Sequence, residues 1–274
     1  MAIEVSNVKF SYKGKEVYSD LNLNIETPQS YLLLGKNGVG KTTLLKLVSG
    51  LLEPLKGKVL FNSLAAFPRN PLNLMNLFFI PEEFSLPRLS LAEYSKALSR
   101  FYPNFNKSDF EKYLLDFNLD ISLDLSSASF GQKKKSIIAF SLATNVSCLL
   151  FDEPTNSLDI VSKNAFRNVL SNLNDRVIFI TGHNVRDLTG VIDYLIIVGE
   201  KSILFSNSIS YINKIIRLKL SANLMEMNYI MKKIKMGLRH FILRVAMELK
   251  LLILNFSFYM LLKIKRRGNK RCLA

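Results

Sequence analysis

Two short stretches carry residue types suited to handling phosphate. GKNGVGKTT, Gly35 to Thr43, follows the apolar run YLLL and leads into the helix-forming TTLLKLVSG. It fits the pattern G-x-x-x-x-G-K-[ST] at the junction of a strand and a helix. There Gly35, Gly38 and Gly40 let backbone N–H groups wrap phosphate oxygens, with Asn37 and Thr43 in the same cradle. Lys41 reaches the β and γ phosphates, and Thr42 offers a hydroxyl to Mg²⁺. The helix behind adds its positive end. The second stretch, LLFDEP, places Asp152 and Glu153 at the end of a buried strand. Asp152 suits Mg²⁺ and Glu153 suits the polarisation of an attacking water. Pro154 alone would account for a strand-end turn; the company of Lys41 favours chemistry. His183, in TGHN after the run RVIFIT, is one of two histidines and lies at a strand's carboxyl end, where ligands collect in open α/β sheets.

The elements that must position these groups are legible as patterns. YLLL, SCLLF, RVIFIT and YLIIV read as buried strands separated in part by helical patterns, which predicts an α/β fold with a mainly parallel sheet. Ahead of them IEVSNVKFSY and YSDLNLNIE alternate and read as N-terminal antiparallel strands. From about residue 82 to 143 the strand pattern gives way to helices, with Ser108 as the expected N-cap of DFEKYLLDF, so a helical subdomain is inserted there. In ASFGQKKK, Ser129 and Gln132 fit a capping box, and Phe130 is a bulky residue pushed into that helix start.

Charge divides the chain. Residues 221–274 hold 12 Lys and Arg against Glu226 and Glu248, so +10 of the net +15 lies in the last 54 residues, together with six of the eight methionines. A boundary is therefore expected near residue 220. The 49% hydrophobic content supports a substantial core, which excludes a disordered tail as the whole. Cys148 and Cys272 show no pairing pattern, and no secretory signal is read at the start, so a reducing cytoplasm is expected.

Taken in order, GKNGVGKT, ASFGQ, LLFDEP, SLD and His183 resemble ATP-binding cassette (ABC) ATPases over residues 1 to about 215. The resemblance implies a P-loop NTPase core, ATP and Mg²⁺ as ligands, and ATP hydrolysis with Glu153, His183 and Lys41 as catalytic residues. It further implies that Tyr12 stacks on adenine and that Asp159 is the D-loop acid. Ser129, Gly131 and Gln132 would bind the γ phosphate held by a second cassette in a homodimer. Three positions depart from the family pattern: Phe130 where it has glycine, Glu82 where it has the Q-loop glutamine, and Ser157 where glycine is commoner. Glu82 retains a Mg²⁺-binding oxygen beside Thr42 and Asp152 but adds negative charge. Phe130 is expected to contribute mainly backbone.

FYPNFNKSDFEKYLLDFNL and the IPEE segment resemble compact bacterial cassettes that energise separate exporter-type permeases, which implies a membrane partner and a place on the cytoplasmic face. The competing class is a soluble ABC ATPase acting on nucleic acid or ribosomes; such factors usually carry two cassettes, and this chain shows one, so nucleic acid is not the expected partner. In the tail, only Leu251 to Leu262 is free of charge, short for a membrane span. Residues 241–267 fit an interfacial amphipathic helix on an anionic membrane surface; a helix packed on the cassette and a poorly ordered terminus are the other readings.

Overall fold

The computed structural model of the protein describes residues 2–182 and 185–220. In chain order the strands are β1 (Ile3–Tyr12), β2 (Lys15–Ile25), β3 (Ser30–Leu34), β4 (Lys56–Phe61), β5 (Leu64–Ala65), β6 (Leu77–Ile80), β7 (Cys148–Phe151), β8 (Val177–Thr181), β9 (Tyr194–Val198) and β10 (Ile203–Ser208). The α-helices are α1 (Lys41–Val48), α2 (Pro71–Leu74), α3 (Leu91–Leu98), α4 (Lys107–Asp116), α5 (Phe130–Ala143), α6 (Ile160–Leu170) and α7 (Ile209–Leu220). The chain divides into two units, one of Met1–His183 with Gly190–Asn207 and one of Asn184–Thr189 with Ser208–Ala274.

In the first unit, β1 alternates buried and accessible residues because one face of its sheet meets the core. It pairs antiparallel with β2, Ile3 opposite Ile25, and with β4, Ile3 opposite Phe61. The four-stranded order is β2-β1-β4-β5. The six-stranded sheet runs β10-β9-β3-β8-β7-β6, and the contacts from β9 through to β6 are all parallel. Every residue of β3, β7 and β8 is buried, as expected for parallel strands covered on both faces. The four apolar runs all became strands. Sequence reading passed over β6, whose LFFI is only four residues long and forms the far edge of this sheet.

Helices α3, α4 and α5 occupy the stretch from residue 82 to 143. Phe140 of α5 joins them to the sheet, its ring lying 5.9 Å from Phe78 of β6, 5.6 Å from Tyr94 of α3 and 5.9 Å from Phe110 of α4. The expected cap at Ser108 is corrected. Asn106 caps α4 instead, accepting a hydrogen bond from the backbone N–H of Asp109 at 3.1 Å, which leaves Ser108 inside the first turn. The Asn side chain reaches the third amide of the helix as well as Ser does, and the chain turns two residues earlier.

Of the second unit, a short 3₁₀ turn at Val185–Leu188 and α7 are described. His183 and the interfacial helix expected at 241–267 lie outside the described residues. Among the described residues, no helix is long and apolar enough to cross a membrane.

Candidate functional site

Parallel pairing gathers the chemistry at one edge of the large sheet. The loop after β3 carries Gly35 to Gly40 into α1, Asp152 follows β7, and Thr181 ends β8. Because Phe151 is in register with Ile180, the next residues, Asp152 and Thr181, are neighbours. The Thr181 hydroxyl donates to Asp152 Oδ1 at 2.6 Å and accepts from the Glu153 backbone N–H at 2.9 Å. The Thr42 hydroxyl donates to Asp152 Oδ2 at 2.7 Å. Asp152 is thus fixed from both oxygens, although it is 110 residues from Thr42 in sequence. Thr181 was missed in the sequence; the available signal was a polar residue closing an otherwise apolar strand.

A cavity of about 420 Å³ is lined by Tyr12, Asn37, Gly38, Gly40, Lys41, Thr42, Thr43, Glu82, Asp152 and Glu153, with Lys15 and Val17 joining from β2. Lys15 and Val17 carried no sequence signal, since only the packing of β2 brings them to the loop. Lys41 is buried, and its ammonium donates to the carbonyls of Gly35 at 3.0 Å and Lys36 at 3.3 Å. Burial lowers its pKa, while Glu153, Asp152 and Glu82 pull the other way. Gly40, at φ 118°, has a backbone conformation L side chains rarely adopt, and a Cβ there would lie 2.8 Å from both the Tyr18 hydroxyl and Val17 Cγ1. The loop can therefore close only around glycine. Tyr18 adds a hydrogen bond of 2.8 Å to the Gly40 carbonyl.

Glu153 is buried and takes a left-handed backbone, φ 47°, an uncommon conformation that turns the chain at the strand end. Tyr12 sits at the cavity wall and is exposed, with its ring 4.8 Å from that of Phe10, edge to face. Glu82 accepts a hydrogen bond from Asn156 Nδ2 at 3.0 Å.

Ser129, Gly131 and Gln132 do not line this cavity. They form the start of α5, where the capping box is present: Gln132 N–H donates to Ser129 Oγ at 3.2 Å, and Ser129 N–H to Gln132 Oε1 at 2.9 Å. Asp159 caps α6, accepting from the Ser162 N–H at 2.7 Å, and Lys135 lies 3.7 Å from it. The Ser162 amide and hydroxyl hold its carboxyl below the usual range. Phe130 has a partner that sequence reading missed: its ring lies 5.4 Å from that of Phe84.

Ser157 occupies φ 67°, where a glycine is unstrained, and its carbonyl would lie 2.9 Å from a Cβ at Gly131. Ser157→Gly is expected to stabilise the fold by ~1 kcal/mol, read by calorimetry as a rise in Tm of about 2–4 °C. A lower Tm would show that the Ser157 side chain contributes more than its backbone costs.

The family model described as ABC transporter matches residues 18–156, just over half of the chain. The chain belongs to the ABC transporter family. An energy-coupling factor transporter ATP-binding protein of Thermotoga maritima is 31% identical over 225 residues, covering 76% of this chain and 82% of the relative. A lipopolysaccharide export system ATP-binding protein of Haemophilus influenzae is 29% identical over 216 residues, 74% of this chain and 88% of its own. A solved dimeric ATP-binding cassette in a post-hydrolysis state with ADP and Pi superposes with a TM-score of 0.66 at 20% identity, over 75% of this chain and 98% of that one, and bears out the fold. This ABC chain is an ATP-binding and ATP-hydrolysing subunit.

Proposed function

We propose that this ABC subunit binds MgATP in the cavity beside Lys41, pairs head to tail with a second copy, and couples hydrolysis to a separate membrane permease at the cytoplasmic face. The observation that carries the site is the convergence of Lys41 and Thr42 from the start of α1 with Asp152 and Glu153 from just past β7 on one cavity. Lys41 exchanges its loop carbonyls for β and γ phosphate oxygens, Tyr12 offers its ring to the base, and Glu153 orients the attacking water. His183 is assigned the γ-phosphate sensing role. The donor set fits Mg²⁺, because a Thr hydroxyl and the Asp152 carboxylate, with Glu82 near, are hard oxygens too few to complete an octahedron without water and phosphate. Bound there, Mg²⁺ would neutralise charge on the phosphates.

Dimerisation is supported by a mismatch within one chain. Ser129, Gly131 and Gln132 present a capped helix start suited to an anion, yet line no part of their own chain's nucleotide cavity. A second copy would bring that helix start, with Asp159 nearby, to the open side of the nucleotide. The cassette is placed at residues 1–220 with its helical insert at about 82–143, and the basic extension at 221–274.

The permease reading is tested by purifying the chain from detergent-solubilised membranes. Co-purification of a polytopic membrane protein that changes the ATPase rate is expected. RNA or ribosome binding that weakens steeply with salt, with no membrane partner, would overturn it in favour of the basic tail acting on phosphate backbones. Binding of the full chain to anionic vesicles, weakened by salt and absent on neutral vesicles, would support 241–267 as a membrane-surface contact.

A further inference from the structure

Neither the cavity nor the capping box explains the presence of Lys134 near the site. It lies on α5, two residues past Gln132, and is 0% exposed. Burying an ammonium is unfavourable unless its donors are satisfied. Here they are: Lys134 Nζ donates to the carbonyl of Pro81 at 3.1 Å and to that of Glu82 at 3.1 Å, and it sits 5.3 Å from the centre of the Phe84 ring. Burial pulls its pKa down to about 8, against the attraction of Asp152, Glu82 and Glu153.

Besides Lys134, Asn156 also holds this segment, donating from Nδ2 to Glu82 Oε1 at 3.0 Å. Between β6, which ends at Ile80, and α3, which begins at Leu91, there is no helix or strand. Yet this segment delivers Glu82 to the nucleotide cavity. Phe84, the ring facing the ammonium, stacks in turn on Phe130, the first residue of α5. A lysine, a backbone pair and two aromatic rings therefore join residues 81–84 to the first turns of α5.

We propose that Lys134 is a positioning residue for ATP hydrolysis, fastening the backbone of Pro81 and Glu82 to α5 and so holding the Glu82 carboxylate at the wall of the nucleotide cavity. This rests on the reading of Glu82 as part of the nucleotide site. The negative charges of Asp152, Glu82 and Glu153 also attract this ammonium. A neutral apolar side chain of similar length could fill the space but could neither bond the two carbonyls nor balance the charge.

The test is a double-mutant cycle on the full chain, with steady-state kcat and KM for MgATP and nucleotide affinity from a fluorescent ATP analogue. Lys134→Met is expected to lower kcat at least tenfold with KM changed less than about threefold. With Glu82→Ala already present, Lys134→Met should lower kcat by less than about threefold, since little is left to position. A tenfold loss in both backgrounds, or no loss in the parent, would overturn the clamp. Unchanged turnover in Glu82→Ala alone would instead remove Glu82 from the nucleotide site, and the clamp's purpose with it. If Lys134→Met does not fold by circular dichroism, Phe84→Leu takes its place in the cycle, with the same dependence on Glu82 expected and additivity overturning the proposal.

Discussion

Glu153→Gln is expected to bind ATP within about twofold of the parent and to hydrolyse it about 10²–10⁴ times more slowly, the range general-base assistance supplies. The substitution keeps the shape of a side chain that is buried at the cavity wall, and it leaves the backbone N–H of residue 153 bonded to the Thr181 hydroxyl. Asp152, held through Thr42 and Thr181, is untouched. Binding and positioning therefore survive while the carboxylate proposed to orient the attacking water is gone. Stalled hydrolysis should also let ATP-bound dimers accumulate, visible by gel filtration with MgATP. Turnover within threefold of the parent would mean that another group activates the water. Normal inhibition with only monomer in ATP, for parent and variant alike, would instead remove the head-to-tail sandwich.

Lys41→Ala is expected to lower nucleotide affinity by about 10–100-fold, the worth of a charge-assisted contact to phosphate, and to bring turnover to background. The ammonium already sits in the phosphate loop, 3.0 Å and 3.3 Å from two of its carbonyls, so little reorganisation is needed to meet a β or γ phosphate oxygen. Alanine removes that charge and also takes away the ammonium donor of the Gly35 and Lys36 carbonyls, of which Lys36 keeps the Val39 N–H, so the loop loosens at Gly35. Lys41→Arg should not rescue activity, because the planar guanidinium is larger than the buried ammonium it replaces. Undiminished ATP turnover by Lys41→Ala would sink the site assignment. Comparison by titration calorimetry separates the two effects: Glu153→Gln should bind as the parent does and not turn over, and Lys41→Ala should bind more weakly and not turn over.

The nucleotide loop was legible in the sequence because its chemistry is local. Glycines, the lysine and the hydroxyl must lie within a few residues of one another to wrap phosphate, so spacing alone exposes Gly35 to Thr43. The same holds for the capping box, where Ser129 and Gln132 are three residues apart on one helical turn, and for β3, β7, β8 and β9, whose burial on both faces demands unbroken apolar runs. Short or edge strands escape that logic, which is why β6 was not seen, and Asn and Ser suit a helix start equally well, so the expectation of Ser108 fell two residues past the actual cap, Asn106.

What only the tertiary structure decided are partnerships between distant segments. Parallel register, not sequence proximity, places Thr181 between Asp152 and the Glu153 amide, and the packing of β2 brings Lys15 and Val17 to the phosphate loop. Phe130 looked like an intruder in a helix start until Phe84 was found against it. Lys134 is the middle residue of the run KKK, and the fold buries it on the carbonyls of Pro81 and Glu82. A charge run in one dimension gives no sign of which ammonium is desolvated, because desolvation depends on what packs over it from 52 residues away.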